Sequence, residues 1–183
     1  QRYTFPKAEA SVFLNLKKAM NWDFTLDSRI EVVDSMTIRG YRFSQGWSPL
    51  QHVYFETRFS KPFMACHMDT TSIVTKDRGW IGTAYIARFD FNTEKDEEIL
   101  VTTGISGVSM EGAGKNLRAE VPKDDFDYYQ MQAAKTWNKQ LSKIEVKSSD
   151  TDDLVKFYTA LYHSMIAPTI YSDVDGSYYG PDQ

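Results

Sequence analysis

Three aspartates crowd the end of the chain, Asp173, Asp175 and Asp182, set in the run Asp173-Val-Asp-Gly-Ser-Tyr-Tyr-Gly-Pro-Asp182. Closely spaced carboxylates invite one chemistry first, oxygen ligation of a hard cation such as calcium. The spacing does not make an EF-hand. That loop places acidic or amide side chains at positions one, three and five, a glycine at six and a glutamate at twelve, whereas Gly176 comes too early and no glutamate follows. Asp173 and Asp175 therefore read as Asx-type turn residues leading into Gly176.

Other reactive side chains form no local motif. His52, His67 and His163 stand too far apart for a metal-ligand pattern, and His163, beside an apolar stripe, reads as a hydrogen-bonded packing residue. Cys66 is the only cysteine, so no internal disulfide forms. It sits in the alternating stretch 63–68, where His67 points to the opposite face of a strand, so it reads as a small buried hydrophobe, not an activated nucleophile. Four tryptophans, eleven tyrosines and eleven phenylalanines supply faces on which sugar C–H groups can rest. Most of the tryptophans have a structural reading: Trp137 lies on a helical stripe and is expected in the core, Trp80 starts a strand, and Trp47 belongs to a Gly-Trp turn of the scaffold. Trp22 has no such role.

The elements that must hold these groups fall into two regimes. Val53, Phe55 and Phe59 alternate with Tyr54, Glu56, Arg58 and Ser60, the two-residue period of a half-buried strand. Similar alternation runs through 29–35, 36–43, 80–91 and 98–106, with turn formers between. Antiparallel strands in a sandwich are predicted over residues 1–121. Near Val121 and Pro122 the period lengthens to about 3.6 residues. One helix, capped by Asp124 or Asp125, presents Phe126, Tyr129, Ala133, Trp137, Leu141 and Ile144. A second, capped within 149–152 and ending by Pro168, presents Leu154, Phe157, Tyr158, Leu161, Tyr162 and Met165. Both apolar faces call for a partner surface.

Composition bounds the rest. The 183 residues are 42% hydrophobic and 25% charged, ordinary globular proportions that exclude a disordered chain. A net charge of −4 with interspersed signs offers no basic face to a nucleic acid, and no apolar run reaches the ~18 residues of a membrane span. The start, Gln1 to Pro6, carries neither an initiator Met nor the apolar region of a signal peptide, so the native amino terminus is expected upstream.

The run from Phe157 to His163, a proline, and then the D-x-D-G-x-Y-x-G-x-D pattern ending at Asp182 resemble the calcium-dependent α-mannosidases of glycoside hydrolase family 92, where their helical barrel begins. The resemblance spans the chain. Residues 38–42 with Gly46 and Trp47, Val53 to Phe55, and Phe59 to Phe63 are similar to later strands of that family's amino-terminal sandwich. Asn116, Leu117 and Glu120, then Phe126, Asp127, Ala134, Trp137 and Leu141, are similar to its link between sandwich and barrel. Two departures stand out: Tyr179 where the family more often has a basic residue, and Pro181 just before Asp182.

The resemblance implies an α+β chain with a galactose-mutarotase-like supersandwich over 1–121, a linker helix over 122–147, and the first helix of an (α/α)6 barrel over 148–183. It implies a fragment that is itself mainly structural, cut from an exported enzyme that removes terminal mannose, α-1,2-linked and of N-glycan type, by calcium-assisted inverting hydrolysis. The catalytic acid and base are then expected beyond Gln183, Asp182 is the substrate-binding residue, and the calcium ligands lie mostly elsewhere. The implied partners are an α-mannoside oligosaccharide and the remaining barrel, or another chain, on the helices. A non-catalytic carbohydrate-binding sandwich is the competing reading, disfavoured by the helices with unmatched apolar faces.

Overall fold

The computed structural model of the chain describes residues 1–18, 22–74, 81–167 and 169–180. Eight strands come first: β1 (Arg2–Phe5), β2 (Ala8–Asn15), β3 (Phe24–Val32), β4 (Thr37–Gln45), β5 (Gln51–Phe59), β6 (Ala65–Val74), β7 (Ile81–Thr93) and β8 (Glu97–Ser106). All pair antiparallel, in a five-stranded sheet of order β1-β8-β5-β4-β3 and a three-stranded sheet of order β2-β7-β6. The predicted sandwich strands are present, joined by β1 and β2, which the alternation had not singled out. In β2 the inward residues are the small or aliphatic Ala10, Val12 and Leu14, while the large Phe13 faces outward at 66% exposure, which blurs the pattern. Trp80, expected to open β7, lies outside the described residues.

The two sheets close on an aromatic core. Phe59, Phe89 and Phe91 are essentially inaccessible, and the Phe59 and Phe89 rings stand 5.2 Å apart with Phe63 at 5.3 Å from Phe89. Leu16, Ile30, Ile38, Phe55, Ala87 and Ile99 complete the cluster. Each such large side chain contributes about 1.5–3 kcal/mol by leaving water. Cys66 packs half-buried against this core, and burial pushes its thiol up, away from the thiolate a nucleophile needs.

One helix falls inside the stretch expected to be all β. α1 (Met110–Glu120) is capped by Ser109, whose hydroxyl accepts from the Gly112 N–H at 2.9 Å. It lies on β8 and β5 with Ala113 and Leu117 buried. Contact is close enough that a Cβ on Gly104 would strike the Ala113 carbonyl and Leu117. Periodicity therefore changes at Ser109, not at Val121. The turn escaped notice because Gly112, Ala113 and Gly114 carry so little hydrophobic signal.

Residues Asp125–Tyr171 make a second compact unit. It holds α2 (Phe126–Leu141), capped by Asp125, and α3 (Thr151–Ser164), capped by Asp150. Within it Trp137 meets Tyr162 edge-on at 4.5 Å, and the Tyr158 hydroxyl donates to the Ile144 carbonyl at 3.1 Å. No residue of either helix is buried. The core position expected for Trp137 is thus corrected: its ring is half-exposed against Tyr162, and the apolar stripes stay open within this chain. Residues 172–180 pack with the sandwich unit, where the Asp173 carboxylate finds its partners.

Candidate functional site

Asp173, Asp175, Ser177 and Tyr179 of the aspartate run each have a specific partner. The loop closes on itself through the Asp173 N–H donating to the Ser177 carbonyl at 2.8 Å and the Gly176 N–H to the Asp173 carbonyl at 2.9 Å. Gly176 adopts φ +84°, a left-handed conformation that a side chain would strain. Asp175 accepts from the Ser177 N–H at 3.1 Å, the Asx turn expected of it, and also pairs with Lys115 Nζ at 2.7 Å. Lys115 and Ser177 together hold the Asp175 carboxyl at about 2.

Asp173 does more than turn the chain. It is buried where β8 gives way to α1, accepting from the Ser106 hydroxyl at 2.7 Å and from Asn116 Nδ2 at 2.8 Å. The Ser106 oxygen in turn accepts the Val108 and Ser109 N–H groups at 2.9 and 3.2 Å, at the start of α1. Asn116 spans both partners: Nδ2 also donates to the Ile105 carbonyl, and Oδ1 accepts the Val174 N–H at 2.9 Å. A carboxylate beside the opening turn of a helix is also favoured by the helix dipole. Asn116 was noted in sequence only as part of a linker pattern. Ser106 and Lys115 were missed, because partners some sixty residues distant leave no local signature.

Further along, the Tyr179 ring meets His52 edge-on at 4.7 Å. His52 belongs to an aromatic group on β4 and β5 in which Phe43 stacks near Tyr41 at 4.4 Å and near His52 at 4.3 Å. Burial pushes the His52 pKa down, so its ring stays neutral near pH 7. Asp182 lies outside the described residues. Trp47, expected as turn scaffold, stands 90% exposed beside Gly46, and Trp22 is 57% exposed. Neither packs into the core.

A separate polar cluster lies on the outer face of the three-stranded sheet. There Asp90 accepts from Ser11 at 2.7 Å and pairs with Arg88 and His67, each at 3.0 Å. It borders a shallow hollow of about 270 Å³ lined by Phe13, His67, Met68, Asp69, Ile86 and Arg88. Among the described residues no three His, Cys, Asp or Glu side chains converge as a metal site. Asp173 has both oxygens occupied by protein donors, and Asp175 is neutralised by Lys115. The described residues therefore do not fit a calcium ion.

Residues 1–106 match the family model of the glycosyl hydrolase family 92 N-terminal domain, and residues 112–183 match that of the family 92 catalytic domain. The chain belongs to glycoside hydrolase family 92. Among solved structures it is similar to a family 92 α-mannosidase from Bacteroides thetaiotaomicron, with 29% identity, a TM-score of 0.88, and coverage of 99% of this chain and 25% of that one. That mannosidase in complex with mannoimidazole gives 29% identity and a TM-score of 0.85 over the same shares. A family 92 inverting mannosidase of the same organism shares the fold, with 21% identity, a TM-score of 0.80, and coverage of 98% and 25%. The chain thus spans about a quarter of the length of these structures. No curated protein matches it. In this family 92 chain all eight strands fall within the N-terminal-domain match, and α2 and α3 fall within the catalytic-domain match.

Proposed function

We propose that this chain is the sandwich-to-barrel portion of an exported α-mannosidase that removes terminal mannose from α-mannosides, α-1,2-linked ones of N-glycan type, with inversion at the anomeric centre. The observation that carries this reading is the likeness, over nearly the whole chain, to an α-mannosidase at a TM-score of 0.88, with the catalytic-domain match beginning inside α1. In inverting hydrolysis one carboxylic acid protonates the leaving oxygen while a carboxylate about 6.5–9.5 Å away activates water. Asp173 and Asp175 are already committed, to Ser106, Asn116 and Lys115. The acid, the base and the calcium ligands belong to the remainder of the protein, and the portion described here is scaffold. Asp182 is the residue of this chain that accepts hydrogen bonds from the sugar.

The reading is tested by kinetics on the full-length protein. Asp182→Asn should lower kcat/KM roughly ten- to a hundred-fold, the loss of a charged hydrogen bond of about 1.5–3 kcal/mol. Proton NMR of the released sugar should show β-mannose first. Wild-type kcat/KM in the variant would remove Asp182 from the site, and α-mannose as the first product would exclude inversion.

A further inference from the structure

We propose that Asp173, Ser106 and Asn116 are positioning residues for the sugar site: they fasten residues 173–180, the segment that precedes Asp182 in the chain, to β8 and α1, where the amino-terminal match gives way to the catalytic-domain match. The inference rests on the mannosidase reading above and deepens it.

A turn aspartate would be exposed, yet Asp173 is 8% exposed, with both carboxylate oxygens satisfied by β8 and α1 side chains. Gly112 makes room for it, since a Cβ there would land on the Asp173 carboxylate and within 2.8 Å of Ser106 Oγ. Asn116 then grips the backbone of the next residue through the Val174 N–H. Lys115 holds Asp175 from the rim, and His52 meets Tyr179. Four successive contacts along 173–179 thus come from β5, β8 and α1, and Gly180, the last described residue, precedes Asp182 by two positions. A segment that only ended a domain would need no such series. Each contact removes freedom from the residues that follow, and a loop ordered before the ligand arrives loses less on binding.

The test is a double-mutant cycle in the full-length enzyme, assayed on an aryl α-mannoside. Asp173→Asn removes an acceptor that Ser106 cannot replace, because its oxygen already accepts two N–H groups. This variant and Ser106→Ala should each raise KM about ten-fold or more per folded molecule while kcat changes less. In an Asp182→Asn background the same changes should add little, because they act through Asp182. A merely structural Asp173 would instead lower thermal stability, leave KM of the folded fraction at the wild-type value, and add fully to Asp182→Asn; either kinetic result overturns the proposal. Should the buried variants fail to fold, Lys115→Met decides, since it frees Asp175 at the exposed rim: a severalfold rise in KM supports the clamp and a wild-type KM contradicts it. An inactive wild-type enzyme would reject the mannosidase reading itself. Active wild type, impaired Asp182→Asn and unaffected clamp variants would reject the clamp alone.

Discussion

Asp173 and Asp175 are two residues apart, and their fates divide because one meets a pocket and the other a cation. Both read in sequence as turn formers, and the turn is there; what the spacing did not contain was Ser106 and Asn116, brought to Asp173 by the path of β8 into α1. Asp175 has the simpler chemistry and a clear pH signature. Its folded pKa is depressed to about 2 from a usual value near 3.8, so its contribution to stability is present above about pH 4 and is lost as pH falls through about 2. Thermal melts across that range should show Lys115→Met shifting less on acidification than the wild type; parallel curves would mean the ion pair stabilises nothing. Gly112 is the steric counterpart. Gly112→Ala places a methyl against the Asp173 carboxylate and Ser106 Oγ, and overpacking of this kind costs about 1–3 kcal/mol, of which the better helix propensity of Ala offsets up to ~1. A fall in melting temperature of a few degrees is expected, whereas Gly107→Ala, with nothing within 4 Å of the added carbon, should be close to neutral. Equal melting temperatures for the two variants would show that the helix can shift aside.

At the scale of elements, the strands were legible wherever the inward residues were large. Phe55, Phe59, Phe89 and Phe91 announce β5 and β7 by period alone, while β2, with Ala10 inside and Phe13 outside, does not. α1 was hidden for a related reason: close packing on β8 selects glycine and alanine, so the tightest contact carries the weakest hydrophobic signal. α2 and α3 are the reverse case. Their stripes are strong in sequence, yet among the described residues none in either helix is buried. Helices of this length are marginal without tertiary burial. Hydrogen exchange on the 183-residue chain should therefore show α2 and α3 exchanging orders of magnitude faster than β5, β7 and β8, with α1 protected like the strands. Protection of α2 and α3 equal to that of β7 would mean that their apolar faces are covered after all, by each other or by a second copy.

At the scale of the molecule, residues 172–180 fold with the sandwich unit, where Ser106 and Asn116 hold the Asp173 carboxylate. Sequence resemblance carried the family and the fold class, and the matches over 1–106 and 112–183 agree with it. It did not carry the return of 172–180 to the sandwich, since nothing in the spacing of Asp173, Asp175 and Gly176 says which surface they face. With the acid and the base in the remainder of the protein, as proposed, the 183-residue chain should not catalyse. The most direct measurement is mannose release from an aryl α-mannoside by the purified 183-residue chain and by the full-length protein, each with and without a chelator. The account predicts no release from the chain, and release from the full-length protein that the chelator abolishes and added calcium restores; turnover by the 183-residue chain, or none by the full-length protein, would contradict it.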